Sequence, residues 1–381
     1  MAIKLIDGPQ ILVSELPVSL AVDDDAPYRR SYLQLPEPHA YRRLFGVLNA
    51  CTVDPFLTEF WLNNSKPSGL SVLVARDIRV LSDLFLFSGG ELFMPNEEMP
   101  GYLEHIVAQG DRAARLQELC AQSPDGVIEQ AFIISHCNCK IYGHFLVEVL
   151  PKLAIVKRYY DSRLRIPIVL GSRDPSFMAE IIKTALPEAE IIVLSSDRGV
   201  LIRNCLLPSQ CHMYLLNAHH NAFLNELIAN CNDQCSDMEF PEKVLISREG
   251  ISDSFRSLAN WGEIEHIAGT FGYTVVQPEL LPMVQQVCLF SRARAIVGEY
   301  GSALHNAIFA REARCVVALN WINLVQQAIG LARGHSNIFI FPEGGQPILA
   351  PALSTVGPIV NTQYAVPSDL VVRALEFADK P

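Results

Sequence analysis

Apolar and polar positions change rhythm several times along the chain. From Met1 to about Met99, short apolar runs such as LSVLVARDIRVL are broken by Pro, Gly and polar clusters (SGG, PNEEMP), the pattern of short strands and turns. VIEQAFIIS then reads as a buried strand, HCNCKIYGH as a loop, and FLVEVLPKLAIVKRYY as a helix, because its apolar positions recur at helical spacing. PIVLG, PSFMAEIIKTALP and EIIVLS continue as strand, helix and strand. A polar stretch runs from about Asn217 to Glu242. After it VLIS, a helix from Trp261 to Phe271, YTVVQP, LLPMVQQVCLFSRA, AIVGEYG, SALHNAIFA and CVVALN alternate again. The pattern predicts an α/β protein in three parts: a β-rich N-terminal region at 1–99, an α/β domain at 100–237, and a second α/β domain at 238–381. The junction falls near Met238. The last part reads as a doubly wound sheet, whose ligands sit at the carboxyl ends of strands.

Composition narrows the function classes. The chain has 381 residues, half of them hydrophobic, enough for two cores. Charged residues make up 19% and the formal net charge is -11, so the surface repels phosphate backbones and nucleic acid is not an expected partner. The opening MAIKLIDGPQ lacks the basic-then-apolar order of a secretory signal, and no stretch approaches about 18 uninterrupted apolar residues. The expected location is cytoplasmic, with the ten cysteines as reduced, partly buried thiols. His136, Cys137 and Cys139, the pair Cys231 and Cys235, and Cys205 and Cys211 with His212 lack the paired Cys-x-x-Cys spacing of a structural zinc site, so no metal is expected.

Three constellations can carry chemistry. In the first, Val297-Gly298-Glu299-Tyr300-Gly301-Ser302-Ala303-Leu304-His305-Asn306, a β-branched strand ends on glycine and a helix starts on small residues. Such a turn aims backbone N–H groups at an anion such as a diphosphate, and Ser302 adds a hydroxyl donor; it is equally the ordinary strand-to-helix turn of a doubly wound fold. In the second, Ser247-Arg248 ends VLIS and Arg256 comes after a loop, two guanidinium groups suited to paired bonds with phosphate oxygens or to surface ion pairs. Asn260 and Glu263, three apart, read as a capping box for the helix at Trp261. In the third, His144 and Glu148 are four apart on one face of a predicted helix. They could be acid–base machinery or a tie between helix and loop. The basic run Lys152, Lys157, Arg158, Arg163 and Arg165 is a solvated face or a peripheral contact with an anionic acceptor or lipid headgroups. Glu343-Gly344-Gly345 after IFIFP is a turn or a ribose contact.

In this order the three constellations resemble glycosyltransferase family 61, the group that includes capsular-polysaccharide-type enzymes in bacteria and xylosyl- and N-acetylglucosaminyltransferases in eukaryotes. The resemblance covers roughly Ile141 to Trp321. A family pattern of His, an apolar pair, Glu and then Leu-Pro-Lys/Arg-Leu is similar to His144-Phe145-Leu146-Val147-Glu148 and Leu150-Pro151-Lys152-Leu153. Its Ile-Ser-Arg with a later Arg and Asn is similar to Ile246-Ser247-Arg248, Arg256 and Asn260. Its Gly-x-His-Gly-Ala-x-Leu-x-Asn turn is similar to Gly298 through Asn306, with Tyr300 standing where the family usually has His.

The resemblance implies a GT-B-like fold of two facing Rossmann-like domains, the acceptor side on the first and the donor on the second. It implies inversion at the anomeric carbon, a nucleotide-sugar co-substrate, UDP-linked, with no cofactor or metal, and a glycan or polysaccharide acceptor. His144 and Glu148 become the catalytic pair. Arg248, Arg256, Glu299, Tyr300, Gly301, Ser302 and Asn306 become donor-binding residues. The Tyr300 departure also fits an inactive sugar- or nucleotide-binding scaffold, and two lobes fit another glycan-modifying transferase such as a pyruvyl transferase.

Overall fold

The computed structural model describes residues 3–5, 10–13, 28–33, 46–47, 71–94, 111–135, 141–208, 216, 218–248, 256–319, 324–340 and 362–379. The fold is mixed α/β, with parallel strands in both large sheets. The chain divides into two compact units, Met1–Glu37 with Pro67–His212, and Pro38–Lys66 with Met213–Pro381.

The first unit is built on a ten-stranded sheet. Val200–Pro208, Val127–Ile133, Ile168–Leu170 and Ile191–Val193 run parallel, and Ser71–Val80 joins antiparallel to Val200–Pro208. Most strands of the expected β-rich N-terminal region, Ser71–Val80 included, belong to the same sheet as the first α/β run, whereas Gly46–Val47 pairs in the second unit's sheet. Val74, Ile78, Val80, Ala131, Ile133, Val169 and Ile202 are buried along it, which is why VLVARDIRVL reads as a strand.

The second unit carries a six-stranded, all-parallel sheet in the order Thr274–Val276, Lys243–Ile246, Ala295–Glu299, Cys315–Leu319, Ser336–Ile340, Gly46–Val47. Ile296, Val297, Val316 and Val317 are all buried, so both faces of the sheet are covered; that accounts for runs that are apolar throughout rather than alternating. Leu245, Val297, Val317 and Ile338 share one core with the helices Trp261–Thr270 and Ser368–Asp379. Counted along the chain from Lys243, the first five strands lie in the order 2-1-3-4-5. The order reverses between Lys243–Ile246 and Ala295–Glu299, and in doubly wound sheets the crevice at that reversal is where ligands bind.

The polar stretch before Glu242 contains an ordered helix. Ala218–Gln234 is a 17-residue helix docked within the second unit. Arg333 donates to the side chains of Asn221 and Asn225 at 3.2 and 3.0 Å, and Asn221 donates to the Ala332 carbonyl. Arg292 caps the helix's far end, donating to Asn232, Cys235 and Met238. The polar residues that look like a linker are partners of two arginines.

Two buried histidines make this unit acid-sensitive. Burial pushes His335 down to about 4, with the Arg333 charge acting the same way, and burial pushes His220 down to about 3, helped by His219. An imidazole in the unfolded chain takes up its proton below about pH 6.5. The unfolded state therefore binds more protons as the pH falls from there, and folding loses about 1.4 kcal/mol per pH unit for each histidine. Urea denaturation should show stability declining from pH 6.5 to 5, with a shallower decline in His335→Gln. A flat profile over that window would contradict the assignment.

Candidate functional site

The reversal point brings together the ends of two strands. Lys243–Ile246 pairs with Ala295–Glu299 so that Ile246 stands opposite Gly298. A Cβ placed on Gly298 would lie 3.0 Å from the Ile246 Cβ, so glycine is what lets the two strands meet at this register. Ser247 continues the ladder, its N–H donating to the Val276 carbonyl at 2.8 Å, and is buried; Arg248 comes next, half-buried, as the strand ends. On the neighbouring strand the Tyr300 N–H donates to the Leu319 carbonyl at 3.0 Å, and the turn begins at Gly301.

The segment after that turn differs from the expected α-helix. Ser302–Ile308 is a seven-residue 3₁₀ helix, and Gly301 makes no side-chain cap. The aligned dipole of a long α-helix is therefore lacking at this turn. Asn306 is fully buried and donates to the Gln286 side chain at 3.3 Å and the Ala303 carbonyl at 3.1 Å, which seats the 3₁₀ helix on helix Met283–Arg292.

Behind the turn runs a buried polar chain that sequence spacing does not show. His305 Nδ1 lies 3.3 Å from the Gln326 side-chain oxygen, and Gln326 and Asn337 exchange hydrogen bonds at 3.4 and 3.1 Å. Gly330 leaves room for this, since a Cβ there would stand 2.0 Å from Asn337 Nδ2. The rings of His305 and Tyr300 meet edge to face, with centroids 5.7 Å apart. An imidazole thus packs against the phenol at position 300, although it comes from the next helical segment.

Glu299 and Arg256 meet the same structure from another side. Glu299 is buried and accepts a hydrogen bond from the Tyr364 hydroxyl. Tyr364 lies on Thr362–Tyr364, which pairs in parallel with Arg256–Leu258. Asn260 precedes helix Trp261–Thr270 as expected, but makes no side-chain cap; its carboxamide instead grips the Val366 backbone, accepting at 3.2 Å and donating at 2.9 Å.

In the first unit His144 and Glu148 do meet, with Nδ1 and Oε1 2.5 Å apart. Their helix is irregular: Tyr142–His144 is α, Phe145–Val149 is π, Leu150–Lys152 is 3₁₀ and Leu153–Asp161 is α again. Pro151 is the physical reason. It has no N–H to give the preceding turn and its ring crowds the carbonyl four residues back, so the helix widens before it and tightens after it. Glu148 is wholly buried, whereas the His144 side chain is 28% exposed. A carboxylate only accepts, so the pair fixes the imidazole with its proton on Nδ1 and leaves Nε2 as the acceptor.

The basic run is not one solvated face. Lys152 is buried with Nζ donating to the Ile134 carbonyl at 3.1 Å, Lys157 pairs with Asp161 at 2.8 Å, and Arg165 pairs with Glu188. A cavity of about 280 Å³ in this unit is lined by Leu81, Phe85, Leu116 and paired charges, Arg115 with Asp197 and Arg173 with Asp83. It holds none of the predicted site residues. His136, Cys137, Cys139, Cys211, His212 and Glu343-Gly344-Gly345 lie outside the described residues. Among the described residues, no three His, Cys, Asp or Glu side chains are placed to share a metal ion, and no helix is long and apolar enough to cross a membrane.

All three constellations fall within one family match. Residues 142–317 match the family model Glycosyltransferase 61. The match covers a little under half of the chain, from the start of the His144 helix to the strand beside the Gly298 turn, and supports assignment to glycosyltransferase family 61. No curated protein matches the chain. Within the glycosyltransferase 61 segment lie His144, Glu148, Arg248, Arg256 and the turn from Glu299 to Ser302; Tyr364 lies beyond it.

The close approach at Gly298 is the part of this site most directly tested by stability. Gly298→Val should force Lys243–Ile246 and Ala295–Glu299 apart and cost about 1–3 kcal/mol, as overpacking does. Chemical denaturation measures it, and an unchanged midpoint would show that the strands do not meet as described.

Proposed function

We propose that the protein is an inverting glycosyltransferase that moves a sugar from a nucleotide-sugar donor, UDP-linked, to a hydroxyl of a glycan or polysaccharide acceptor. One observation carries this reading: Arg248 and the turn from Glu299 to Ser302 end adjacent strands at the reversal of a parallel sheet, inside a segment that matches glycosyltransferase 61. Parallel strands in the sheet of each unit support a GT-B arrangement, with the donor on the second unit and the acceptor-side base on the first. Six cysteines among the described residues are free thiols, which supports a cytoplasmic, reducing setting.

The chemistry is a single displacement. The acceptor oxygen forms a bond to the anomeric carbon as the bond from that carbon to the diphosphate oxygen breaks, and the configuration inverts. His144 takes the acceptor proton on Nε2, and buried Glu148 holds the ring through Nδ1, so His144 is the base and Glu148 its positioning residue. The departing diphosphate gathers negative charge, which Arg248 and Arg256 offset with the amides at Gly301 and Ser302. Tyr300 can donate a hydrogen bond to phosphate or a sugar hydroxyl, but cannot shuttle protons as an imidazole does near neutral pH.

That same Tyr300 supports a second reading, a donor-binding scaffold without turnover. The two are separated by experiment. Arg248→Ala should weaken binding of the cognate nucleoside diphosphate by roughly 10–100-fold in calorimetry, the loss expected for a charge-assisted pair. His144→Ala should leave that affinity unchanged while lowering transfer or donor hydrolysis by roughly 10²–10⁴-fold. Unchanged affinity in the arginine variant would overturn the donor site. Donor binding with no turnover in the wild type, across varied acceptors, would favour the scaffold.

A further inference from the structure

Tyr364 lies outside the segment that matches the family model, yet its hydroxyl reaches the carboxylate at the end of the central strand, 65 residues away in sequence. Glu299 is only 5% exposed, and Tyr364 takes its Oε2. Among the described residues Oε1 accepts no hydrogen bond. A carboxylate can accept several hydrogen bonds, and the phenol supplies one of them. Its position, at the carboxyl end of a parallel strand beside the sheet's reversal, is where the hydroxyl groups of a bound ligand arrive.

The tyrosine is firmly held. Leu258 pairs with Tyr364 in the short parallel ribbon, the Ala259 N–H donates to the Tyr364 carbonyl at 2.7 Å, and Asn260 grips Val366 in both directions. The same ribbon contains the backbone of Arg256, which pairs with Thr362. One element thus sets the Glu299 carboxylate and the strand on which Arg256 lies.

We infer that Glu299 binds a sugar hydroxyl of the nucleotide-sugar donor through Oε1, and that Tyr364 is the positioning residue that fixes this carboxylate for it. The inference rests on the donor-site reading under Proposed function. The recognised hydroxyl belongs either to the ribose or to the transferred sugar, and the choice of ligand distinguishes them.

Calorimetry on the full chain tests it, with wild type, Tyr364→Phe and Glu299→Gln titrated against UDP, 2′,3′-dideoxy-UDP and UDP-glucose. A panel of GDP, ADP and CDP covers a different base. Tyr364→Phe keeps the ring and removes only the hydroxyl, and circular dichroism with melting confirms that both variants fold. The expected result is a loss of about tenfold on ligands that carry the recognised hydroxyl and none on the ligand that lacks it. A penalty on UDP that vanishes on the dideoxy compound assigns the ribose; one that appears only on UDP-glucose assigns the transferred sugar. An equal penalty on every ligand, or none on any, overturns the inference while leaving the donor site standing. A wild type that binds no nucleoside diphosphate overturns the donor site and the inference with it.

Discussion

Parallel pairing of Lys243–Ile246 with Ala295–Glu299 is the constraint on which the second unit's chemistry depends. These strands lie where the sheet's winding reverses, the place at which doubly wound sheets bind ligands. The register places Ile246 beside Gly298, and so brings the ends of the two strands, Ser247-Arg248 and Glu299-Tyr300, side by side. Gly298 eases the approach, because a Cβ there would stand only 3.0 Å from the Ile246 Cβ. The buried chain His305, Gln326 and Asn337 stiffens the turn from behind, and the Tyr364 ribbon ties down Glu299.

The first unit solves a different problem with its proline. Pro151 interrupts the backbone ladder of the helix that carries His144 and Glu148, and the π segment absorbs the disruption. A fully buried glutamate holds a partly exposed histidine by one ring nitrogen, which leaves the other to meet an acceptor. Of the two side chains only the histidine is open to solvent, a difference that their spacing of four residues does not show.

Much of this is legible in the sequence, and the limits have physical causes. Strands such as AIVGE and CVVAL are readable because burial on both faces demands apolar residues throughout, and the helix at Trp261 begins where its pattern predicts. The polar stretch around Asn221 and Asn225 misleads because polarity there serves Arg333 and not solvent. SALHNAI has the composition of an α-helix, whereas Asn306 bonded to Gln286 seats a 3₁₀ turn. Tyr364 and Gln326 escape a reading of the sequence because their partners lie far along the chain, and no local spacing records a contact made across a sheet end.

The central claim is that the donor's diphosphate lies at the sheet's reversal, between Arg248 and the turn after Glu299. A crystal structure of the protein with UDP bound tests it most directly. The account predicts diphosphate density within hydrogen-bonding distance of the Arg248 guanidinium and the amides at Gly301 and Ser302. UDP bound elsewhere on the protein, with that crevice filled by solvent, would contradict it.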